Sequence, residues 1–123
     1  MAGKKKVLIV DDAKDMLVLY GDILTKAGYE VNTAQTLDAC LRIAKAMAPD
    51  IILMDIVMPD MDGGTMARQV LEDPQLSSIP IVFLTSMISP DEASAAYKPG
   101  ARMYISKASS PSEIISRVKK VIG

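Results

Sequence analysis

The sequence predicts an α/β protein: a doubly wound, five-stranded parallel sheet with strand order 2-1-3-4-5. Three observations carry that expectation. Short, β-branched apolar runs recur along the chain, and segments with helical apolar spacing separate them. One run, Ile51-Ile-Leu-Met54, is apolar throughout, as a strand covered on both faces must be. No linker, repeat or low-complexity tract interrupts the βα alternation, so one domain over residues 1–123 is expected, with no output domain in the chain. Strands alternating with helices give a parallel sheet, and right-handed crossovers leave few ways to order it.

Each element has its own justification. Val7–Val10 is the first strand and stops at Asp11-Asp12. Lys14 to Ala27 is helical, with a stripe of Met16, Leu17, Leu19, Tyr20, Ile23 and Leu24, and Gly28 marks its end. Tyr29 to Ala34 alternates like a short strand near the sheet edge. Thr36 is placed to cap a helix through about Met47, which Pro49-Asp50 ends. After the Ile51 strand and Gly63-Gly64, a helix is expected over Thr65–Glu72, with Met66, Val70 and Leu71 inward, broken by Asp73-Pro74. Ile79–Leu84 is the fourth strand, running into Thr85-Ser86. Pro90 suits the first turn of a short helix over Asp91–Tyr97, closed by Lys98-Pro-Gly100. Met103–Ile105 is the fifth strand. Ser109 or Ser110 caps a last helix opened by Pro111, with Ile114, Ile115, Val118, Val121 and Ile122 inward.

Composition excludes several function classes. The 123 residues are half hydrophobic and carry a net charge of −1, so no strong field points to nucleic acid or a membrane surface. Lys4-Lys5-Lys6 reads as a solvated start rather than a nucleic-acid patch. No apolar run approaches the ~20 residues of a membrane span, and a cytoplasmic protein is expected. The single cysteine, Cys40, allows no internal disulfide and falls on an apolar helical face as a small buried hydrophobe. There is no histidine, which excludes His-based triads and His metal sites.

The strand ends carry the chemistry. In open α/β sheets ligands bind at the carboxyl edge. There the first strand offers Asp11 and Asp12, the third Asp55, the fourth Thr85 and the fifth Lys107. A lone acid after a strand is ordinarily a turn residue or a helix cap, and Asp60 and Asp62 read that way. A lone Lys107 would be a surface charge and a lone Thr85 a turn cap. Acids, hydroxyl and ammonium together at four strand ends are a different matter. Three clustered carboxylates repel one another unless a cation joins them. They are hard oxygen ligands, so Mg²⁺ or Mn²⁺ fits. A hydroxyl and an ammonium opposite would hold phosphoryl oxygens. The set reads as a phosphoryl-transfer centre, with Asp55 the candidate nucleophile for an acyl phosphate.

Asp11-Asp12, the stretch Asp55-Ile-Val-Met-Pro59-Asp-Met-Asp-Gly63, Thr85-Ser86 and Gly100-Ala-Arg-Met-Tyr104-Ile-Ser-Lys107 together resemble the receiver domain of two-component response regulators. The resemblance runs over essentially the whole chain and implies a flavodoxin-like (βα)5 fold. It implies that Asp55 accepts a phosphoryl group from a histidine kinase or a histidine phosphotransfer protein. It implies Mg²⁺ held by Asp12 and Asp55 directly, by Asp11 mainly through water, and by the Val57 carbonyl. Lys107 would contact the phosphoryl group, Thr85 would swing toward it, and Tyr104 would rotate inward behind it. Tyr104 also has a plainer reading as a half-buried strand aromatic. A downstream protein is expected on the face formed by the fourth predicted helix, the fifth strand and the last helix. The Ala- and Ser-rich segment Asp91–Tyr97 has little to bury, so phosphorylation is expected to move the Ser86–Lys98 region.

The chain departs from the family's pattern after Lys107. The family usually has a proline there, joined through a cis bond; here Ala108 follows. A cis bond without proline costs ~2.5–4 kcal/mol, against ~0.5–1 kcal/mol for X-Pro. Either the bond is strained or the Lys107 loop differs, and altered phosphorylation or hydrolysis kinetics are expected. Met103 stands where the family often has Asp, with no consequence that follows from the residue. Val57 and Met87 border the site as apolar shields. Two other classes compete. A Mg²⁺-dependent aspartyl-phosphate phosphohydrolase would want a second acid two residues after Asp55, where Val57 stands, and a cap domain. A flavin-binding protein of the same topology would want a phosphate-cradling loop where Asp11-Asp12 would repel the phosphate.

Overall fold

The computed structural model describes residues 4–55, 63–85 and 101–122, with side chains for 4–55, 68–84 and 105–122. Five strands form one parallel sheet in the order β2-β1-β3-β4-β5: β1 Lys6–Val10, β2 Glu30–Ala34, β3 Ile51–Asp55, β4 Ile81–Thr85 and β5 Ala101–Ser106. Helices α1 (Lys14–Lys26), α2 (Leu37–Met47) and α3 (Gly63–Glu72) and a C-terminal helix (Pro111–Ile122) complete the described elements. The expected helix over 91–97 lies outside the described residues.

Strand pleating sorts the core into two layers. Leu8, Val10, Ile52, Met54, Ile81 and Phe83 point to one face, where Cys40, Ala44 and Met47 of α2 and Val70 of α3 cover them. Val7, Ile9, Ile51, Leu53, Val82, Leu84 and Ile105 point to the other, under Leu17, Tyr20 and Leu24 of α1 and Ile114 and Val118 of the C-terminal helix. All five residues of β3 are buried, because it is the central strand with a helix layer on each side. β2, at the edge, buries only Ala34.

Local signals set the boundaries. Thr36 Oγ1 accepts from the Ala39 N–H at 3.1 Å, capping α2 as expected. Ser110, rather than Ser109, caps the last helix by accepting from Glu113 N–H at 3.2 Å. Ala27 ends α1, and Gly28 follows at φ 102, a left-handed turn that glycine adopts without strain. α3 begins two residues before the expected Thr65, at Gly63. β5 extends past the expected Met103–Ile105 in both directions, with a register shift opposite Ile81 and Val82. Two inward assignments are corrected: Leu19 is 47% exposed and Leu71 is 40% exposed. In each helix the adjacent Tyr20 or Val70 takes the core position, and the neighbouring residue, about 100° round, faces water.

Candidate functional site

The parallel strands all end on one edge, and three of them deliver the charged residues. Asp11 and Asp12 follow β1, Asp55 closes β3, and Lys107 follows β5. Each acid offers a carboxylate oxygen, and these lie within 4.8 Å of one another. Asp11 and Asp55 are buried and Asp12 is exposed.

Backbone chemistry holds the acids there. The Asp11 N–H donates to the Ala34 carbonyl at 3.1 Å, extending the β1–β2 ladder by one rung. Asp11 Oδ1 accepts from the Ala13 N–H at 3.0 Å, an Asx turn that swings the chain into α1. Gln35 Nε2 donates to the Asp12 carbonyl at 3.2 Å and ties that turn to the chain after β2.

Lys107 is the ammonium of the site. Its Nζ donates to Asp11 Oδ2 at 2.8 Å and stands 3.7 Å from Asp55 Oδ2. Burial acts to lower the Lys107 pKa. The hydrogen bond and charge of Asp11, then the charges of Asp55 and Tyr20, outweigh it and hold the ammonium above the ordinary lysine value. Three carboxylates and one ammonium leave the cluster with an excess of negative charge. The donor set is oxygen alone, close enough to converge on one ion, and it fits a hard divalent cation such as Mg²⁺.

Asp11, Asp12, Asp55 and Lys107 are therefore brought together as the sequence led us to expect. Thr85 ends β4 in register with Ser106, the neighbour of Lys107, and Tyr104 pairs with Phe83. The side chains of Thr85 and Tyr104 lie outside those described, as do Val57, Asp60, Asp62 and Met87 entirely. Lys107–Ala108 is a trans bond; among the described residues there is no cis peptide. Ser106 Oγ accepts from Ala108 N–H at 3.1 Å and the Ser106 carbonyl from Ser109 N–H at 3.0 Å.

Sequence reasoning missed two neighbours of the site. Tyr20 read only as part of the α1 stripe. Burial raises its phenol pKa, Lys107 acts against that, and Asp11 and Asp55 act with it, so its hydroxyl shares the field of the site. Ser106 entered only within the Gly100–Lys107 stretch; a Ser whose hydroxyl can accept from the backbone N–H two residues on is the signal for such a turn.

A five-stranded parallel sheet in this order, with helices on both faces, places the chain in the CheY-like, flavodoxin-like class of α/β folds. The chain belongs to the response regulator receiver domain family, whose model matches residues 7–119. The chemotaxis protein CheY of Thermotoga maritima is 37% identical over 119 residues, covering 95% of this chain and 97% of that protein. The response regulator PleD of Caulobacter vibrioides is 33% identical over 116 residues, 94% of this chain; the chain spans 26% of PleD's length. Among solved structures, the chemotaxis response regulator CheY4 of Vibrio cholerae superposes with a TM-score of 0.83 at 30% identity, covering 96% of this chain and 98% of that one. The chain is a receiver domain of two-component systems, a class of signalling modules rather than metabolic enzymes. Among the described residues no helix is long and apolar enough to cross a membrane.

Proposed function

We propose that this chain is a phosphoacceptor signalling module, one receiver domain over residues 1–123, in which Asp55 takes a phosphoryl group from a histidine kinase or a histidine phosphotransfer protein. The observation that carries the reading is the placing of Asp55 at the carboxyl end of the central strand, 3.7 Å from the Lys107 ammonium and beside two further acids. A carboxylate oxygen of Asp55 forms the new O–P bond while the donor's N–P bond breaks. Lys107 balances the charge of the phosphoryl oxygens, and the Thr85 hydroxyl donates to one of them. Asp11, Asp12, Asp55 and the Val57 carbonyl would hold Mg²⁺, which neutralises the oxygens that gain charge during transfer. No histidine in the chain can serve as donor, which supports a partner as the source. Self-phosphorylation from a small donor and slow autodephosphorylation are the only chemistry assigned to the chain itself.

The acyl phosphate then biases two conformations a few kcal/mol apart. In this reading Thr85 and Tyr104 are the switch, and the face of the fourth predicted helix, β5 and the C-terminal helix meets a downstream protein in the cytoplasm. The near-neutral net charge supports a protein partner over nucleic acid.

Phosphotransfer from radiolabelled candidate kinases tests the assignment. Label is expected on the chain with Mg²⁺, lost with chelator, and lost in Asp55→Asn. Label retained by Asp55→Asn overturns it.

A further inference from the structure

The sheet is open along β2. The Glu30 N–H donates to the Lys5 carbonyl at 2.9 Å and the Ala34 carbonyl accepts from the Asp11 N–H at 3.1 Å, so the even-numbered residues of β2 turn their backbone toward β1. Val31 and Thr33 lie between them and turn N–H and C=O outward, and β2 pairs with β1 alone among the described strands. Edge strands are commonly blunted by a proline or a bulge. β2 contains no proline, and its register with β1 runs unbroken. Beside this edge, α1 and α2 wall a groove of about 520 Å³ with Thr33 between them. Leu17 and Val18 give it apolar surface from α1, Ala39 and Ile43 from α2, and Val18 is 72% exposed. Successive side chains of an added strand point to opposite faces, one toward each wall. Lys14 and Arg42 also line the groove and are exposed, and among the described residues neither is in an ion pair. No described acid lines it. A second hollow continues the groove past Val18 and Val31, where Asp22 is paired with Lys26 at 3.0 Å.

We propose that the β2 edge is a docking site for an extended segment of a partner protein, apolar in its middle and acidic at one end, which adds to the sheet as a further strand. Val31 and Thr33 supply the main-chain hydrogen bonds, Val18 and Ile43 receive alternate apolar side chains, and Lys14 and Arg42 take the acidic end. The outward backbone groups select an extended chain over a helix or a small molecule. The unpaired cations select an acid, by charge complementarity. β2 and β5 are the two edges of the sheet, so the segment leaves the face assigned to a downstream protein accessible. The docking site does not depend on the phosphoacceptor reading of Asp55.

A random heptapeptide library displayed on phage and selected on the intact chain tests this, with the selected peptides then synthesised and titrated. Selected sequences are expected to combine apolar residues with an acidic end, and the bound peptide to protect the Val31 and Thr33 amides from hydrogen exchange. Thr33→Pro removes an outward N–H without costing a β1–β2 bond and is expected to weaken binding about twofold to tenfold. Val18→Asp places a charge where an apolar side chain is to be buried and is expected to weaken it about tenfold or more. Lys14→Glu combined with Arg42→Glu is expected to weaken acidic peptides about twofold to tenfold and to remove the salt dependence of binding. This last variant changes only exposed side chains, and it decides if Thr33→Pro does not fold. Peptides that bind without protecting Val31 and Thr33, or without preference for an acid, overturn the proposal, as does a library that yields no binder. A concentration-dependent dimer that is lost in Thr33→Pro assigns the edge to a second copy of the chain and overturns it too.

Discussion

Cys40 sits fully enclosed in the layer under α2, and burial pushes its thiol up from 9.0 to about 11. Below pH 9 the thiol is protonated in both folded and unfolded chains and contributes nothing to the pH dependence. Between 9.0 and about 11 the unfolded chain binds fewer protons than the folded one, so stability falls as pH rises. The slope from this group is at most about 1.4 kcal/mol per pH unit. Comparing urea denaturation of the parent chain and Cys40→Ala from pH 7 to 11 isolates it, since Tyr20, Tyr29 and Lys107 titrate in both. The same burial predicts that a thiol reagent at pH 8 leaves Cys40 unlabelled until the chain unfolds; rapid labelling of the native protein would contradict it. At the site, residue types were legible for the acids and the ammonium, which stand in the expected order along the chain. Which acid the ammonium chooses was not, because Asp11 and Lys107 are 96 positions apart in sequence.

The helices and strands show where periodicity suffices and where it does not. Thr36 as a cap, Gly28 as a stop and β2 as an edge strand come from local chemistry, and all three hold. Gly28 offers a clean measurement, because a Cβ added there meets nothing within 4 Å. Gly28→Ala is therefore expected to destabilise the fold by ~1–2 kcal/mol through backbone strain alone, read as a shift in the urea midpoint at constant slope. No shift would mean that the turn relaxes. Leu19 and Leu71 went astray for a definable reason. A stripe of six apolar residues in α1 is wider than the surface β1 and its neighbours present to it. The sheet takes the Leu17-Tyr20-Leu24 line and leaves Leu19 to solvent. β5 ran longer than its apolar core because strand pairing with β4, rather than side-chain burial, defines its ends.

At the scale of the molecule, β3 is the common wall of both core layers, and it ends on Asp55. A charge change there acts on strands packed from both sides, which transmit a shift better than a loosely held edge. Under the proposed function, beryllofluoride with Mg²⁺ should change amide hydrogen exchange in residues 86–98, a segment outside those described. Unchanged exchange there would remove the expected switch region. The sequence by itself determined the kind and order of the elements and the edge on which the chemistry gathers. Both depend on near neighbours: apolar spacing, helix caps and the residues at each strand's carboxyl end. Only the tertiary structure decided that Lys107 leans on Asp11, that the Ser106 hydroxyl accepts from the Ala108 N–H, and that Tyr20 shares the site's field. Those outcomes turn on small differences in distance between strands β1, β3 and β5, which are set by packing of the whole sheet and carried by no local pattern.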